Sequence, residues 1–344
     1  MIGKGNVRRL GVAAAAIAAA ALLQALSSAS AQEAPKMVVG VPGVPPIFIS
    51  TIAYVAQEQG LFKKYGGNVE LRQFDNGTAA ARAVVAGDID ASVSPTAPVI
   101  SQIANAGVNL EGIYGFPRPD YSIATTDAKR AACKDLAGQQ VGVDTPGGAR
   151  SLALKDMLIS GCKMKLEDVQ QVALGSNAAA AMISGQLVFG VLHLDDIPDI
   201  ESRGKTVTII KSVPETNPDN HNLLLTARKD KVAEKRDAYV RLVAAFIQAA
   251  RFMADPANAD RTVDIIAPIT GRDKAIAKGA LKRYLEFGLW AINDDGMDAK
   301  KLATFIAEQA NAGNIKAGKT PPSAEQITDP SIWRDANALV AAQH

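Results

Sequence analysis

The chain has 344 residues, of which 37 are Lys or Arg and 35 are Asp or Glu, so its formal net charge is +2. Residues 1–31 hold three of the basic residues and no acidic one, so the remainder carries 34 minus 35, or −1. A nearly neutral chain with 5% aromatic residues and no basic cluster gives no electrostatic basis for nucleic-acid binding. The remaining 344 minus 31, or 313, residues suit two domains of ordinary size.

The N-terminus has the three parts of a secretory signal peptide. Lys4, Arg8 and Arg9 precede an uncharged stretch at 10–25, and small residues occupy 29–31. We predict a cleaved signal peptide over residues 1–31, because the uncharged stretch is short for a membrane span; a retained anchor is the alternative. No cysteine stands at the cleavage point, which argues against a lipid anchor. The arginine pair leaves the general and the twin-arginine export routes open, and we expect a soluble mature chain outside the cytoplasm.

A first unit of strands and helices begins at Met37. Continuous apolar runs predict buried strands, and glycines such as Gly60 and Gly87 end helices. The predicted elements are a strand at 37–41, a Gly/Pro loop at 42–46, a helix to Gln59, a strand at 69–74, a helix at 79–86, a strand at 89–94, and a further helix and strand that reach Tyr114.

The same order returns about 100 residues later. The second set comprises a strand at 141–143, a Gly-rich loop at 146–148, a helix to Gly161, a strand at 169–174, an Ala-rich helix to Gly185 and a strand at 187–191. Gly161 lies 101 residues after Gly60, and Gly185 lies 98 residues after Gly87. Two similar α/β halves indicate a clamp around a small molecule, because ligands of open α/β sheets bind at the carboxyl ends of strands.

The chain is predicted to cross between the halves twice. A strand-like segment at 121–126 follows two prolines, and an apolar strand at 223–226 follows a turn-rich stretch. After Lys231 the pattern predicts helices, at 239–253, 275–289 and 299–311. We therefore predict a first lobe of residues 37–122 plus 223–344 and a second lobe of residues 123–222. A two-stranded hinge of this kind permits closure by rotation.

The two cysteines, Cys133 and Cys162, flank one strand–loop–helix unit of the second lobe. An even pair in an oxidising compartment favours a disulfide, which would stabilise the fold by roughly 3–4 kcal/mol in the chain-entropy model. Two unpaired buried thiols are the alternative. Neither cysteine has a spacing typical of metal ligands, and the three scattered histidines supply none.

Several of these segments match a known family. The helix that ends with Gln-Glu-Gln-Gly-Leu-Phe-Lys-Lys-Tyr-Gly at 57–66, and Ala-Gly-Asp-Ile-Asp at 86–90, resemble the periplasmic substrate-binding proteins of ABC importers. More narrowly, the chain is similar to the nitrate/sulfonate/taurine and thiamine-precursor-binding group, the NMT1/THI5-like proteins. Asp-Leu-Ala-Gly at 135–138, before the strand at 141–143, also fits that group. One departure is Gly-Gln-Leu-Val at 185–188, where the family usually repeats Gly-x-Ile-Asp.

The resemblance implies an α/β fold of two similar lobes with parallel-rich sheets and a two-stranded hinge, of the periplasmic binding protein type II. It implies a monomeric, periplasmic solute-binding subunit that delivers a small polar organic solute to the permease of an ABC importer. It implies no cofactor and no enzymatic activity. A same-fold enzyme of thiamine-pyrimidine or menaquinone precursor synthesis is an alternative, which the signal peptide disfavours, and a periplasmic ligand sensor is another.

Candidate ligand residues of the second lobe include the loop that opens a helix after a strand. Free N–H groups at a helix start and the helix dipole favour an anion, which makes Thr145, Gly147 and Gly148 candidates. Arg150 would add a bidentate contact to a carboxylate or sulfonate. A plain tight turn, with Arg150 in solvent, is the alternative.

In the first lobe, Pro45 and Phe48 are candidates for an apolar wall of the ligand site. The alternative is a rigid proline turn under a core phenylalanine. Ser94 and Thr96 follow a strand and offer hydroxyls to a ligand, or simply cap a helix. Arg118, near the first crossing, is expected either to reach the cleft or to lie at the surface.

His193 and Asp195 occupy the corresponding strand end of the second lobe, where Asp195 or Asp196 would otherwise cap a helix. An acid here suits a cationic or hydroxyl-bearing ligand, whereas the loop at 145–151 suits an anion, so we expect a polar or zwitterionic organic solute. His193 with a neighbouring acid invites an acid–base mechanism, but no Gly-x-Ser-x-Gly motif, metal spacing or phosphate loop supports catalysis.

Overall fold

The computed structural model describes residues 35–343, so the signal peptide predicted over residues 1–31 lies outside the described residues. Ten strands in this part of the chain form two five-stranded sheets. The strands are β1 (Lys36–Pro42), β2 (Asn68–Phe74), β3 (Ala91–Pro95), β4 (Leu110–Phe116), β5 (Ser122–Thr125), β6 (Gln140–Val143), β7 (Gln170–Ala173), β8 (Phe189–Leu192), β9 (Thr208–Ser212) and β10 (Leu223–Arg228). The sheet orders are β2-β1-β3-β10-β4 and β7-β6-β8-β5-β9.

The two sheets have the same pattern of strand directions. In the first, β1 runs parallel to β2 and β3, whereas β10 runs antiparallel to β3 and β4. In the second, β6 runs parallel to β7 and β8, whereas β5 runs antiparallel to β8 and β9. The reversed strand is in each case the one that the chain enters from the other sheet. The predicted α/β fold of two similar lobes with parallel-rich sheets is therefore confirmed.

Helices cover both sheets. They are α1 (Thr51–Glu58), α2 (Leu61–Lys64), α3 (Gly77–Ala86), α4 (Thr96–Ala106), α5 (Ala149–Met157), α6 (Ala178–Ile183), α7 (Asp196–Ser202), α8 (Val213–Thr216), α9 (Lys229–Glu234), α10 (Arg236–Ala254), α11 (Ala259–Thr270), α12 (Lys274–Phe287), α13 (Ala299–Asn311), α14 (Ala324–Ile327) and α15 (Pro330–Ala341). Among residues 35–343 no helix combines the length and the apolar character that crossing a bilayer requires.

Each sheet has its own hydrophobic core. We call the first sheet with its helices the first lobe, whose core joins Val39 and Val93 to Phe246 of α10 and Tyr284 of α12. The second sheet with its helices is the second lobe, whose core includes Val141 and Val191 together with side chains of α5. Separate cores allow each lobe to remain folded while the lobes move relative to each other.

The repeated glycines are equivalent in only one of the two pairs. Gly87 and Gly185 end α3 and α6 with φ of +83° and +78°, a left-handed conformation that glycine adopts without a Cβ clash. Gly60 also has a positive φ, but Gly161 does not, and the left-handed residue at the corresponding helix end of the second lobe is Lys163. Gly161 lies inside a π turn at Leu158–Cys162. That turn ends in Cys162, which forms a disulfide with Cys133.

Two connections link the lobes. Residues 117–121 lead from β4 to β5, and residues 213–222, which include α8, lead from β9 to β10. The residue boundaries predicted for the two lobes stay a prediction. Between the lobes, these connections are the only covalent links within the described residues, as a two-stranded hinge requires.

Candidate functional site

The carboxyl ends of four strands meet between the two lobes. Pro42 ends β1, Pro95 ends β3, Asp144 follows β6 and His193 follows β8. All four residues line one cavity, which we call the central cavity. Strand ends of open α/β sheets are the usual position of a ligand.

Two further spaces adjoin the central cavity. A side pocket shares Arg150, Ser176 and His193 with it and extends to Pro45 and Arg272. A wider mouth shares Asn76, Asp144 and Ser176 with the central cavity. The cleft is therefore continuous from the mouth to the side pocket.

Two helix starts face this cleft, and both are capped by the chain itself. The Asn76 side chain accepts a hydrogen bond from the Ala79 amide at the start of α3. At the start of α5, Oδ1 of Asp144 accepts hydrogen bonds from the amides of Thr145 (2.8 Å) and Ser151 (3.4 Å). Burial raises the pKa of Asp144, although these amide donors and the Arg150 charge act in the opposite direction.

Arg150, at the second position of α5, is buried and points into the cleft. Its guanidinium donates to the Val191 carbonyl and lies 3.4 Å from Oδ2 of Asp196. Burial alone would raise the pKa of Asp196, but the charges of Arg150, Arg272 and His193 hold it below its ordinary value. Arg150 therefore reaches the site as predicted from the sequence, with its charge already balanced by a carboxylate.

A buried carboxylate holds His193 in place. Nδ1 of His193 lies 2.8 Å from Oδ1 of Asp120, and the Tyr284 hydroxyl donates to Oδ2 of Asp120 at 2.6 Å. Burial favours neutral forms, but the Asp120–His193 contact outweighs it, so the pKa of Asp120 is lowered and that of His193 is raised. His193 thus donates from Nδ1 to Asp120, and its Nε2 is left for the cleft. The Tyr121 ring packs against the imidazole with centroids 4.7 Å apart.

Arg272 of the first lobe binds three carboxylates of the second. Its Nη2 lies 2.6 Å from Asp195 and 2.9 Å from Asp196, and its Nη1 contacts Asp199. Oδ1 of Asp195 also lies 2.6 Å from the Tyr284 hydroxyl, whose single proton is shared between Asp120 and Asp195. Asp195 therefore lines the side pocket as part of an interlobe ion-pair cluster.

Other polar contacts join the lobes at both ends of the cleft. At the mouth, the Ser176 hydroxyl donates to the Asp75 carbonyl. On the hinge side, the Gln309 amide of α13 donates to Asp156 of α5, and Lys155 donates to Asn314. These contacts show that the structure is a closed form.

Four predicted ligand residues lie away from the central cavity and the side pocket. Phe48 is a core residue stacked on Tyr284, with ring centroids 4.8 Å apart. Ser94 is fully buried and bonded to Ser92, and Thr96 is bonded to Nδ1 of His221. Arg118 is exposed and lies over the Phe287 ring. Phe48 and Arg118 therefore take the alternatives that the sequence left open, a core phenylalanine and a surface arginine, whereas neither Ser94 nor Thr96 caps the helix α4 with its hydroxyl.

The predicted anion-binding loop is arranged differently from the expectation. Thr145 lies at the mouth, and Gly147 is exposed with a φ of +75°. Gly148 is buried because the Asp144 carboxylate lies against it: a Cβ at Gly148 would fall 2.4 Å from Oδ2 of Asp144. The helix start therefore holds a carboxylate of the chain itself where we expected a ligand anion.

Sequence reasoning missed Asp144, Asp120, Tyr121, Tyr284 and Arg272. Asp144 directly follows the strand β6, a position that could have made it a candidate. Asp120 and Tyr121 precede β5 at the first crossing. Tyr284 and Arg272 come from the C-terminal helices, 164 residues from Asp120 and 77 from Asp195 in sequence, and no motif marks them.

Comparisons with known proteins agree on the family and the fold. Residues 48–259, more than half of the chain, match the model of a family described as NMT1/THI5 like. A protein of Brucella abortus, named as a binding protein, is 29% identical over 229 residues, which cover 66% of this chain and 69% of that protein.

Two solved structures share the fold. The periplasmic nitrate-binding protein NrtA from Synechocystis PCC 6803 has a TM-score of 0.72 and 14% identity, covering 90% of this chain and 89% of that one. The periplasmic sulfonate-binding protein SsuA of a sulfonate ABC transporter, from Methylobacillus flagellatus KT, has a TM-score of 0.63 and 17% identity, covering 90% and 96%. At these identities the similarity establishes the fold, and the resemblance predicted from the sequence is confirmed.

Proposed function

Because the chain belongs to the NMT1/THI5-like family, we propose that it is the solute-binding subunit of an ABC import system. It captures a small polar organic solute, such as a sulfonate, a carboxylate or a pyrimidine-like compound, between its lobes. The observation that carries the proposal is the central cavity, where Pro42, Pro95, Asp144 and His193 bring four strand ends of two sheets together. The names of the Brucella relative and of the nitrate- and sulfonate-binding proteins support a solute of this kind.

Capture proceeds by closure of the lobes. In the open form the contacts of Arg272 with Asp195 and of Ser176 with Asp75 separate, and the cavity becomes accessible to solvent. A solute that touches both lobes binds the closed form better and shifts the population toward it. The permease then recognises the lobe surfaces near the mouth of the closed cleft.

Pro45, Arg150, His193 and Asp195 remain our proposed ligand residues. Each lines the side pocket, and Arg150 and His193 line the central cavity as well. Arg150 presents N–H donors, and Nε2 of His193 accepts a hydrogen bond when the ring is neutral and donates one when it is protonated. The Asp195 carboxylate is shared with Arg272 and Tyr284. Pro45 supplies an apolar surface from the first lobe.

The setting of this function is the periplasm. The signal peptide predicted over residues 1–31 supports export, and the two solved proteins of the same fold are named as periplasmic. The partners are the permease subunits at the inner membrane, and the chain acts as a monomer. A sensor that presents ligand to a receptor is the competing role, and genes for a permease and an ATPase beside this one would favour import.

We propose binding without chemical conversion of the solute. The Asp120–His193 pair could move a proton. The hydroxyls of Ser94 and Thr96, however, are bonded within the first lobe, away from the cavity. The Ser176 hydroxyl, which does line the cavity, donates to the Asp75 carbonyl. These contacts favour a holding role for His193.

A thermal-shift screen of the mature protein tests the function. Sulfonates, carboxylates and pyrimidines are added one at a time, and each hit is checked for conversion by mass spectrometry. A solute present at 100 times its Kd adds about 2.7 kcal/mol to the free energy of unfolding, which is readily detected. We expect a hit that is recovered unchanged. If no solute shifts the melting temperature, the binding function is wrong, and a hit that is converted would establish an enzyme instead.

A further inference from the structure

The start of helix α5 already holds an anionic group of the chain itself. Oδ1 of Asp144 occupies the amides of Thr145 and Ser151, which are the groups that would otherwise bind an anion. The Gly147 amide donates to the Ser151 hydroxyl, so it too is used. A ligand carboxylate or sulfonate placed here would meet a carboxylate of the protein, and like charges at close range repel.

The second oxygen of this carboxylate has no partner among residues 35–343. Oδ2 of Asp144 makes no hydrogen bond and no ion pair with any residue in the described part of the chain, although Asp144 is only 6% exposed. Asp144 lines both the central cavity and the mouth. Oδ2 is not among the fully buried side-chain atoms of the described residues that lack a partner, so it keeps contact with the cleft, where a donor of the solute would satisfy it.

The two cationic side chains of the central cavity are already paired. Arg150 lies beside Asp196, which is also bound by Arg272, and His193 is paired with Asp120. Asp144 is the carboxylate of the central cavity that has no ion pair among residues 35–343, although the Arg150 charge acts on it from farther away. A buried charge is costly unless it is paired, so an N–H donor or a cation of the solute would stabilise the ionised Asp144.

Gly148 preserves this arrangement. Its φ of −79° is one that any residue adopts, so the backbone does not require glycine. A Cβ here would lie 2.4–2.6 Å from the carboxylate atoms of Asp144, which are fixed by their amide bonds. The glycine is thus explained by the space that the carboxylate needs.

We propose that Asp144 is a specificity-determining residue, which selects solutes that present a protonated amine or a polarised N–H group to its Oδ2. The inference rests on the proposed function, because it concerns the same cavity. The Arg150 guanidinium then binds an acceptor elsewhere on the solute. The apolar side chains of Ile47 and Leu223 contact its carbon skeleton.

Matched pairs of solutes test the inference directly. Each pair differs in one group: 2-aminoethanesulfonate against 2-hydroxyethanesulfonate, 3-aminopropanoate against 3-hydroxypropanoate, and 4-aminopyrimidine against 4-methylpyrimidine. Affinities are measured by isothermal titration calorimetry. In at least one pair we expect the member that carries the amino group to bind about tenfold or more tightly than its partner. A hydrogen bond to a charged group is worth that much.

Two variants identify the residue responsible. Asp144→Asn keeps an oxygen for the Thr145 and Ser151 amides but replaces Oδ2 with an amide nitrogen, so we expect it to fold and to lose the preference. Gly148→Ala, which displaces the carboxylate, should reduce the preference by an independent route. The control Asp168→Asn alters a carboxylate that accepts from the Lys165 amide at an exposed position of the same lobe, and it should keep the wild-type preference.

The outcomes distinguish a failure of the role of Asp144 from a failure of the binding function. Solutes that bind the wild type with no preference for the N–H member, or a preference that survives in Asp144→Asn, would overturn the role of Asp144 and leave the binding function intact. If neither these pairs nor the wider screen yields a ligand for the wild type, the binding function itself is wrong.

Discussion

The Arg272 cluster gives a quantitative prediction about how the lobes are held together. The Arg272 guanidinium, whose side chain is 12% exposed, binds Asp195, Asp196 and Asp199 of the opposite lobe. Arg272→Ala leaves these carboxylates without that cation in the closed form. In an open form the same carboxylates reach water, so the substitution penalises closure in particular.

The magnitude follows from the contacts that remain. Removing one partner of a buried ion pair costs about 3–5 kcal/mol. Arg150 still lies 3.4 Å from Asp196, and the Tyr284 hydroxyl still lies 2.6 Å from Asp195, so we expect a value near the lower limit. A penalty of about 3 kcal/mol lowers the ratio of closed to open molecules by roughly 150-fold.

Small-angle scattering of the ligand-free protein measures this change as an increase in the radius of gyration. The matched control is Arg203→Ala: Arg203 lies 3.9 Å from Asp199 in the same lobe, and its side chain is 57% exposed. An exposed pair of this kind contributes roughly 0–1 kcal/mol, so Arg203→Ala should scatter like the wild type. Arg272→Lys keeps the charge but loses the planar guanidinium. Its radius of gyration should lie between those of the wild type and Arg272→Ala.

Equal radii of gyration for Arg272→Ala, Arg203→Ala and the wild type, with all three folded by circular dichroism, would refute this reasoning. That result would mean that the ion pairs do not decide the balance between open and closed forms.

Two further predictions concern stability. Burial raises the pKa of Asp156 from 3.8 to about 6, so the folded protein loses stability as the pH rises through that interval. We expect Asp156→Asn to add up to about 3 kcal/mol to the free energy of unfolding at pH 8 and less than about 1 kcal/mol at pH 4, measured by urea unfolding; equal gains at both pH values would contradict it. Replacing Cys133 and Cys162 by Ser should cost about 3–4 kcal/mol, because their bond closes a loop with a sequence separation of 29. A melting temperature that does not change on replacement would show that this loop constraint is unimportant.

The sequence was sufficient for the fold because the pattern of apolar strands and glycine-terminated helices is local. The strands β1 to β3 and β6 to β8 lie within a few residues of their predicted positions. The helix α11 was missed, although it ends next to Arg272. Its apolar face carries Val263 and Ile266, but Pro268 lies near its end and weakens the helical signal.

The site was predicted only in part, because its geometry depends on side chains brought together from distant segments. Arg150 and His193 follow strand ends and were found for that reason. Ser94 lies near the end of β3 and Thr96 directly follows it, but partners on their own lobe engage both hydroxyls. The occupation of a helix start by Asp144 depends on a side-chain rotamer, which neither spacing nor composition specifies.

The most direct test of the account is a crystal structure of the mature protein with the tightest solute from the screen. The account predicts the solute in the central cavity, touching Arg150 or His193 of one lobe and Ile47 or Pro95 of the other. A solute bound at the outer surface, or held by one lobe with the cavity empty, would contradict it.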